Sequence, residues 1–99
     1  MKILLGSPST GKTKKLLELS SETGIPVLCD SNARVERLLE KARGYGFRIP
    51  TPVTYDTLNP SIKAVYIDEL STLVERMLNV RVAAYTINNT DETEIVDLG

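Results

Sequence analysis

The sequence predicts an α/β protein: a three-layer sandwich with a mostly parallel sheet of about four to five strands and helices on both faces. Three observations predict it. Short apolar runs without helical spacing, such as "KILL" at 2–5 and "AVYI" at 64–67, read as buried strands. Between them lie segments whose apolar residues recur at three- and four-residue intervals. Strand and helix then alternate in chain order, as parallel strands joined by right-handed crossovers require. With 99 residues, 41% of them hydrophobic and 25% charged, the chain suits one small domain, 1–99, with a small packed core.

"KILL" ends at Gly6, and the helix expected next lies in "KTKKLLELSSETG", where Leu16, Leu17 and Leu19 form an apolar patch. Gly24 stands where a left-handed stop belongs, with Pro26 beyond it. "PVLC" (26–29) is the second strand. Asp30, Ser31 and Asn32 are helix starters, and Val35, Leu38, Leu39 and Ala42 repeat on one face up to Gly44. In "GFRIPTPVTYDTLNP" an extended piece is expected at Val53 to Tyr55, kept short or at an edge by Pro50 and Pro52. The strand Ala64 to Ile67 follows. Thr72 with Glu75 reads as a capping box for a third helix with the stripe Leu73, Val74, Met77 and Leu78. "VRVAAYTI" (80–87) is the last clear strand, "NNTDETE" (88–94) a solvated loop, and "IVDLG" either a strand stub or a loose end, so that 88–99 stands as a polar tail.

Composition narrows the chemistry. A net charge of -1 gives no global attraction to nucleic acid or an anionic membrane. Cys29 is the single cysteine and histidine is absent, which excludes an intrachain disulfide and a Cys/His zinc site and fits a reducing, cytoplasmic compartment. No apolar run approaches the roughly 20 residues of a membrane span, and Met1-Lys2 leads directly into a strand, so neither membrane association nor a cleavable signal is expected.

The residues Gly6, Ser7, Pro8, Ser9, Thr10, Gly11, Lys12 and Thr13 match GxxxxGK[ST] between an apolar strand and a helix. There, successive backbone N–H groups and a helix N-terminus converge on one anion. The N–H groups from Ser9 to Thr13 would wrap a β-phosphate, Lys12 would sit between β- and γ-oxygens, and the Thr13 hydroxyl would ligate Mg²⁺. Gly11 would keep a Cβ away from the phosphate, and Gly6 would let the chain turn off the strand. The bland alternative is a strand-to-helix turn with a solvated Lys12; Lys14 and Lys15 read as a solvated helix face. Asp68, where an apolar strand stops, is placed to hold Mg²⁺ through water, and Glu69 to act as base or to orient the attacking water.

"GSPSTGKT" resembles the Walker A motif and "VYIDEL" the Walker B motif of the P-loop NTPase superfamily. The glutamate after the aspartate resembles the division containing AAA+, RecA-like and helicase families. The resemblance implies an unusually short, minimal P-loop NTPase core, ATP and Mg²⁺ as cofactors, and "VRVAAYTI" as an inserted strand with Thr86 or Asn88 as a γ-phosphate sensor. "VLCDSNARVERLLEKA" with "TPVTYDTL" is similar to the region between these motifs in superfamily one helicases. Only ordering and a few residue types match there, so nucleic acid has thin support; capping and solvation explain Ser31, Asn32 and Arg34. The chain departs from the pattern at Ser9, where AAA+ loops have glycine, and has no second lobe or arginine finger beyond the exposed candidates Arg76 and Arg81. The function this implies is ATP hydrolysis within a homo-oligomer or with a protein partner. ATP is preferred over GTP because no NKxD motif occurs. The alternatives are a non-catalytic nucleotide-binding adaptor for a partner ATPase and a small-molecule or nucleoside kinase.

Overall fold

The computed structural model describes residues 1–99. In chain order the elements are β1 (Lys2–Leu5), α1 (Lys12–Thr23), β2 (Val27–Leu28), α2 (Asn32–Tyr45), a 3-10 turn (Tyr55–Thr57), β3 (Tyr66–Ile67), α3 (Leu70–Leu78) and β4 (Glu94–Asp97). The strands do not join into one sheet. β1 pairs in parallel with β4, from Lys2↔Glu94 to Leu5↔Asp97, and β2 pairs in parallel with β3, Val27↔Tyr66 and Leu28↔Ile67. The expected three-layer sandwich around one sheet of four to five strands, and with it the minimal P-loop NTPase core, is therefore wrong: the chain is a smaller α/β unit of three helices and two two-stranded sheets.

The reason is a shortage of cover. A central parallel strand must be buried on both faces, and only 11 of the 99 residues are buried. The segment 80–87 forms no strand; Val80, Tyr85 and Ile87 are exposed along it. What covering exists is concentrated elsewhere. Leu16 and Leu17 from α1, Val27 and Cys29 from the β2 segment, and Leu38 and Ala42 from α2 make one core. α3 contributes Leu73 and leaves Met77 and Leu78 exposed.

Local signals fared better. α1 stops at Gly24 (φ 75), whose N–H donates to the Ser20 carbonyl at 2.9 Å. Ser31 caps α2 by accepting from the Arg34 N–H at 3.2 Å, and the helix runs past Gly44 to stop at Gly46 (φ 79). Val53 makes a single parallel bridge on the free edge of β2, and its prolines confine it there. The capping box at Thr72 and Glu75 does not form: α3 begins earlier, at Leu70, and the Glu75 carboxylate accepts from the Val82 N–H at 3.0 Å. A reciprocal box joins Thr54 and Thr57 instead, across the 3-10 turn. The C-terminal ambiguity resolves toward a strand, since 94–97 is β4. No helix is long and apolar enough to cross a membrane.

Candidate functional site

The segment between β1 and α1 is a tight loop. Thr10 folds back on Ser7, donating to its carbonyl from both N (3.3 Å) and Oγ1 (2.8 Å). Gly6 is required by space, because a Cβ there would collide with the Thr10 hydroxyl; its φ is not positive, so the turn itself does not demand glycine. At Gly11 the requirement is the reverse: a Cβ would meet nothing within 4 Å, but φ is +85. Ser9 is also left-handed, at φ 71. Alternating handedness of this kind turns successive amides toward one point. The N–H groups of Ser9, Gly11, Lys12, Thr13 and Lys14 have no acceptor within the chain, and α1 starts with neither a capping side chain nor an acid in its first turn. Ser7 N–H is taken, donating to the Gly99 carbonyl at 3.1 Å.

Two side chains of the loop face inward. Lys12 Nζ donates to the Gly6 carbonyl and, at 3.3 Å, to that of Ser7, so the ammonium lies across the loop on its own carbonyls. Thr13 Oγ1 donates to Asp68 Oδ1 at 3.3 Å. β3 delivers Asp68 to this point, and its side chain is only 7% exposed. Glu69 follows as the residue before α3, exposed and left-handed (φ 58). Thr86 and Asn88 are exposed in the irregular segment after α3, and neither hydrogen bonds to the loop or to the acids.

The Thr13 hydroxyl and the Asp68 carboxylate bring two hard oxygens within hydrogen-bond distance, a pair that could hold a hard cation such as Mg²⁺. No group of three or more His, Cys, Asp or Glu side chains is gathered anywhere, so an all-protein metal cage is absent.

Asp68 has a second partner that sequence reasoning missed. Arg34 Nη2 donates to Asp68 Oδ2, closing an ion pair whose side chains are 23% and 7% exposed. The signal was topological: β2 and β3 are parallel neighbours, so the helix that follows β2 starts beside the acids that follow β3. A cavity of about 450 Å³ opens on that side, lined by Cys29, Arg34, Arg37, Asp68, Glu69 and Arg76 among others and by none of residues 6–13. It shares the acids with the loop and not the loop itself. Arg76 Nε pairs with Asp30 Oδ2 at 3.0 Å. Burial pushes the Cys29 thiol up, with Asp30 and Asp68 adding to the rise against the Ser31 hydrogen bond and Arg34. Lys15 pairs with Glu18 at 3.4 Å and Lys14 lies 5.2 Å from the Tyr45 ring, both on the helix surface. No family model, curated protein or solved structure matches the chain.

Proposed function

We propose that the chain binds a magnesium nucleotide, ATP in preference to GTP, on residues 6–13 and hydrolyses it when assembled with further copies or with a protein partner. One observation carries the reading: a threonine hydroxyl and a nearly buried aspartate, 55 positions apart in sequence, meet at 3.3 Å directly beside a loop of free amides. In this reading the free N–H groups of Ser9 and of Gly11 to Thr13 take the phosphate oxygens, and Lys12 exchanges its two carbonyl acceptors for them. Thr13 and Asp68 hold Mg²⁺, which when bound neutralises phosphate charge. Glu69 accepts a proton from the attacking water. Glu69 is exposed to solvent, so turnover needs a neighbour that closes over it and excludes bulk water. Leu70, Met77, Leu78, Val80 and Tyr85, exposed along α3 and the segment after it, offer apolar surface for such a neighbour.

Exposure of Glu69 also favours a second reading, an adaptor that binds nucleotide without turning it over. Calorimetry with ATP and ADP, in Mg²⁺ and in EDTA, on the intact chain and on Lys12→Ala, tests binding. Phosphate release from ATP, with and without an added nucleoside, tests turnover. Lys12-dependent release supports the ATPase, binding without release the adaptor, and transfer only to the nucleoside a kinase. No heat with either nucleotide in Mg²⁺ overturns the reading.

A further inference from the structure

We propose that Arg34 is a resident counter-cation of the metal position. Its guanidinium neutralises Asp68 when no divalent ion is bound, must leave that carboxylate when one binds, and thereby sets the metal affinity of the site. This rests on the nucleotide reading and names a regulator within it.

Both oxygens of the Asp68 carboxylate are engaged, Oδ1 by the Thr13 hydroxyl and Oδ2 by Arg34. A carboxylate only 7% exposed needs a compensating charge, and among the protein groups Arg34 supplies it. A divalent ion on the Thr13 side supplies the same compensation, and two cations on one carboxylate repel. Metal and guanidinium therefore compete. The arginine is built to move without disturbing its helix: its backbone N–H is held by the Ser31 cap at 3.2 Å, whereas its side chain forms a wall of the cavity of about 450 Å³. A receiver stands on the same cavity. Asp30, with a side chain 16% exposed, is held by the Ser31 hydroxyl at 3.2 Å and by Arg76, whose own side chain is 66% exposed and loosely kept. On metal binding Arg34 shifts from Asp68 toward Asp30, and Arg76 yields to solvent.

Free Mn²⁺, read by electron paramagnetic resonance during titration of the full chain with saturating ADP, measures the competition. Arg34→Gln keeps a hydrogen-bonding side chain and removes the charge; it is expected to bind Mn²⁺ about tenfold more tightly than the parent, with Arg34→Lys close to the parent. ADP affinity in EDTA is expected to be the same in all three. A merely structural arginine predicts the opposite sign, so equal or weaker Mn²⁺ binding by Arg34→Gln with intact ADP affinity overturns the proposal. Asp30→Asn provides a second arm that leaves the Asp68 pair in place. Loss of the receiver should weaken Mn²⁺ binding several-fold, and unchanged binding counts against the exchange. If the parent chain binds no ADP with Mg²⁺ or Mn²⁺ present, the nucleotide reading itself fails and takes this one with it; equal metal affinities alone remove only the role of Arg34.

Discussion

Replacing Asp68 with asparagine separates the two tasks assigned to that side chain. The amide keeps the volume and an acceptor for the Thr13 hydroxyl, now 3.3 Å from Oδ1, and removes only the charge. Arg34 then loses its partner. Exposed ion pairs contribute about 0–1 kcal/mol and breaking fully buried ones costs about 3–5 kcal/mol. With side chains 23% and 7% exposed, this pair lies between the limits. After allowance for solvent reaching the guanidinium, the expected loss is about 2 kcal/mol, or roughly 10 °C in Tm for a domain of this size. Thermal unfolding in EDTA reads that loss directly. Repeating the melt with ADP reads the second task, since a ligand at a hundredfold excess over its Kd adds about 2.7 kcal/mol of stability. The parent should gain more from ADP with Mg²⁺ than from ADP with EDTA, whereas Asp68→Asn should gain equally from both. An unchanged melt in EDTA refutes the energetic importance of the Arg34 pair. A magnesium increment that survives in the variant refutes the metal role of Asp68.

Three further outcomes follow from the geometry. Ser9→Gly should raise stability by about 1 kcal/mol in urea unfolding, because serine at φ 71 pays a left-handed penalty that glycine does not. Leu17→Ala, at a fully buried position between α1 and β2, should cost about 2–5 kcal/mol by the same measurement. The Cys29 thiol titrates above its ordinary range because it is buried. Its contribution is therefore complete below the unfolded thiol pKa of about 8.5 and is lost as pH rises from there through the folded value. Urea midpoints between neutral and alkaline pH should show the parent declining relative to Cys29→Ala over that window, and parallel curves would contradict the thiol assignment.

How much of this was legible in the sequence depended on the range of the interaction. Gly24 and the Ser31 cap act within one or two turns of their helices, and both were readable. So was the confinement of Val53 by its prolines. "VRVAAYTI" misled because its composition suits a strand while the chain lacks the apolar cover to bury one there; its apolar residues stay exposed. For 95–99 the sequence left a strand stub and a loose end equally open, and the strand forms because β4 pairs with β1 more than 90 positions away. Thr72 and Glu75 matched a capping pattern, but the helix already starts at Leu70, which leaves Glu75 free to bind the Val82 amide. Within the site, the loop pattern and the acids announced themselves by residue type. Arg34 did not, because an arginine on the first turn of a helix looks solvated until the parallel pairing of β2 with β3 puts an aspartate beside it.

That pairing also determines how the two halves of the site are held. The loop follows β1 and Asp68 follows β3, yet β1 and β3 belong to sheets that share no hydrogen-bonded strand. No backbone ladder sets the distance between Thr13 and Asp68. It is set by α1, which begins at the loop and packs Leu16 and Leu17 into the same core as Val27, and by the Val27↔Tyr66 register that carries Asp68. Side-chain packing is less directional than a ladder, so the 3.3 Å hydrogen bond between the halves rests on that core as well as on strand register. A ligand held by both Thr13 and Asp68 would add a second tie between the two halves, and its binding free energy would appear as added stability of the whole chain rather than of either sheet alone.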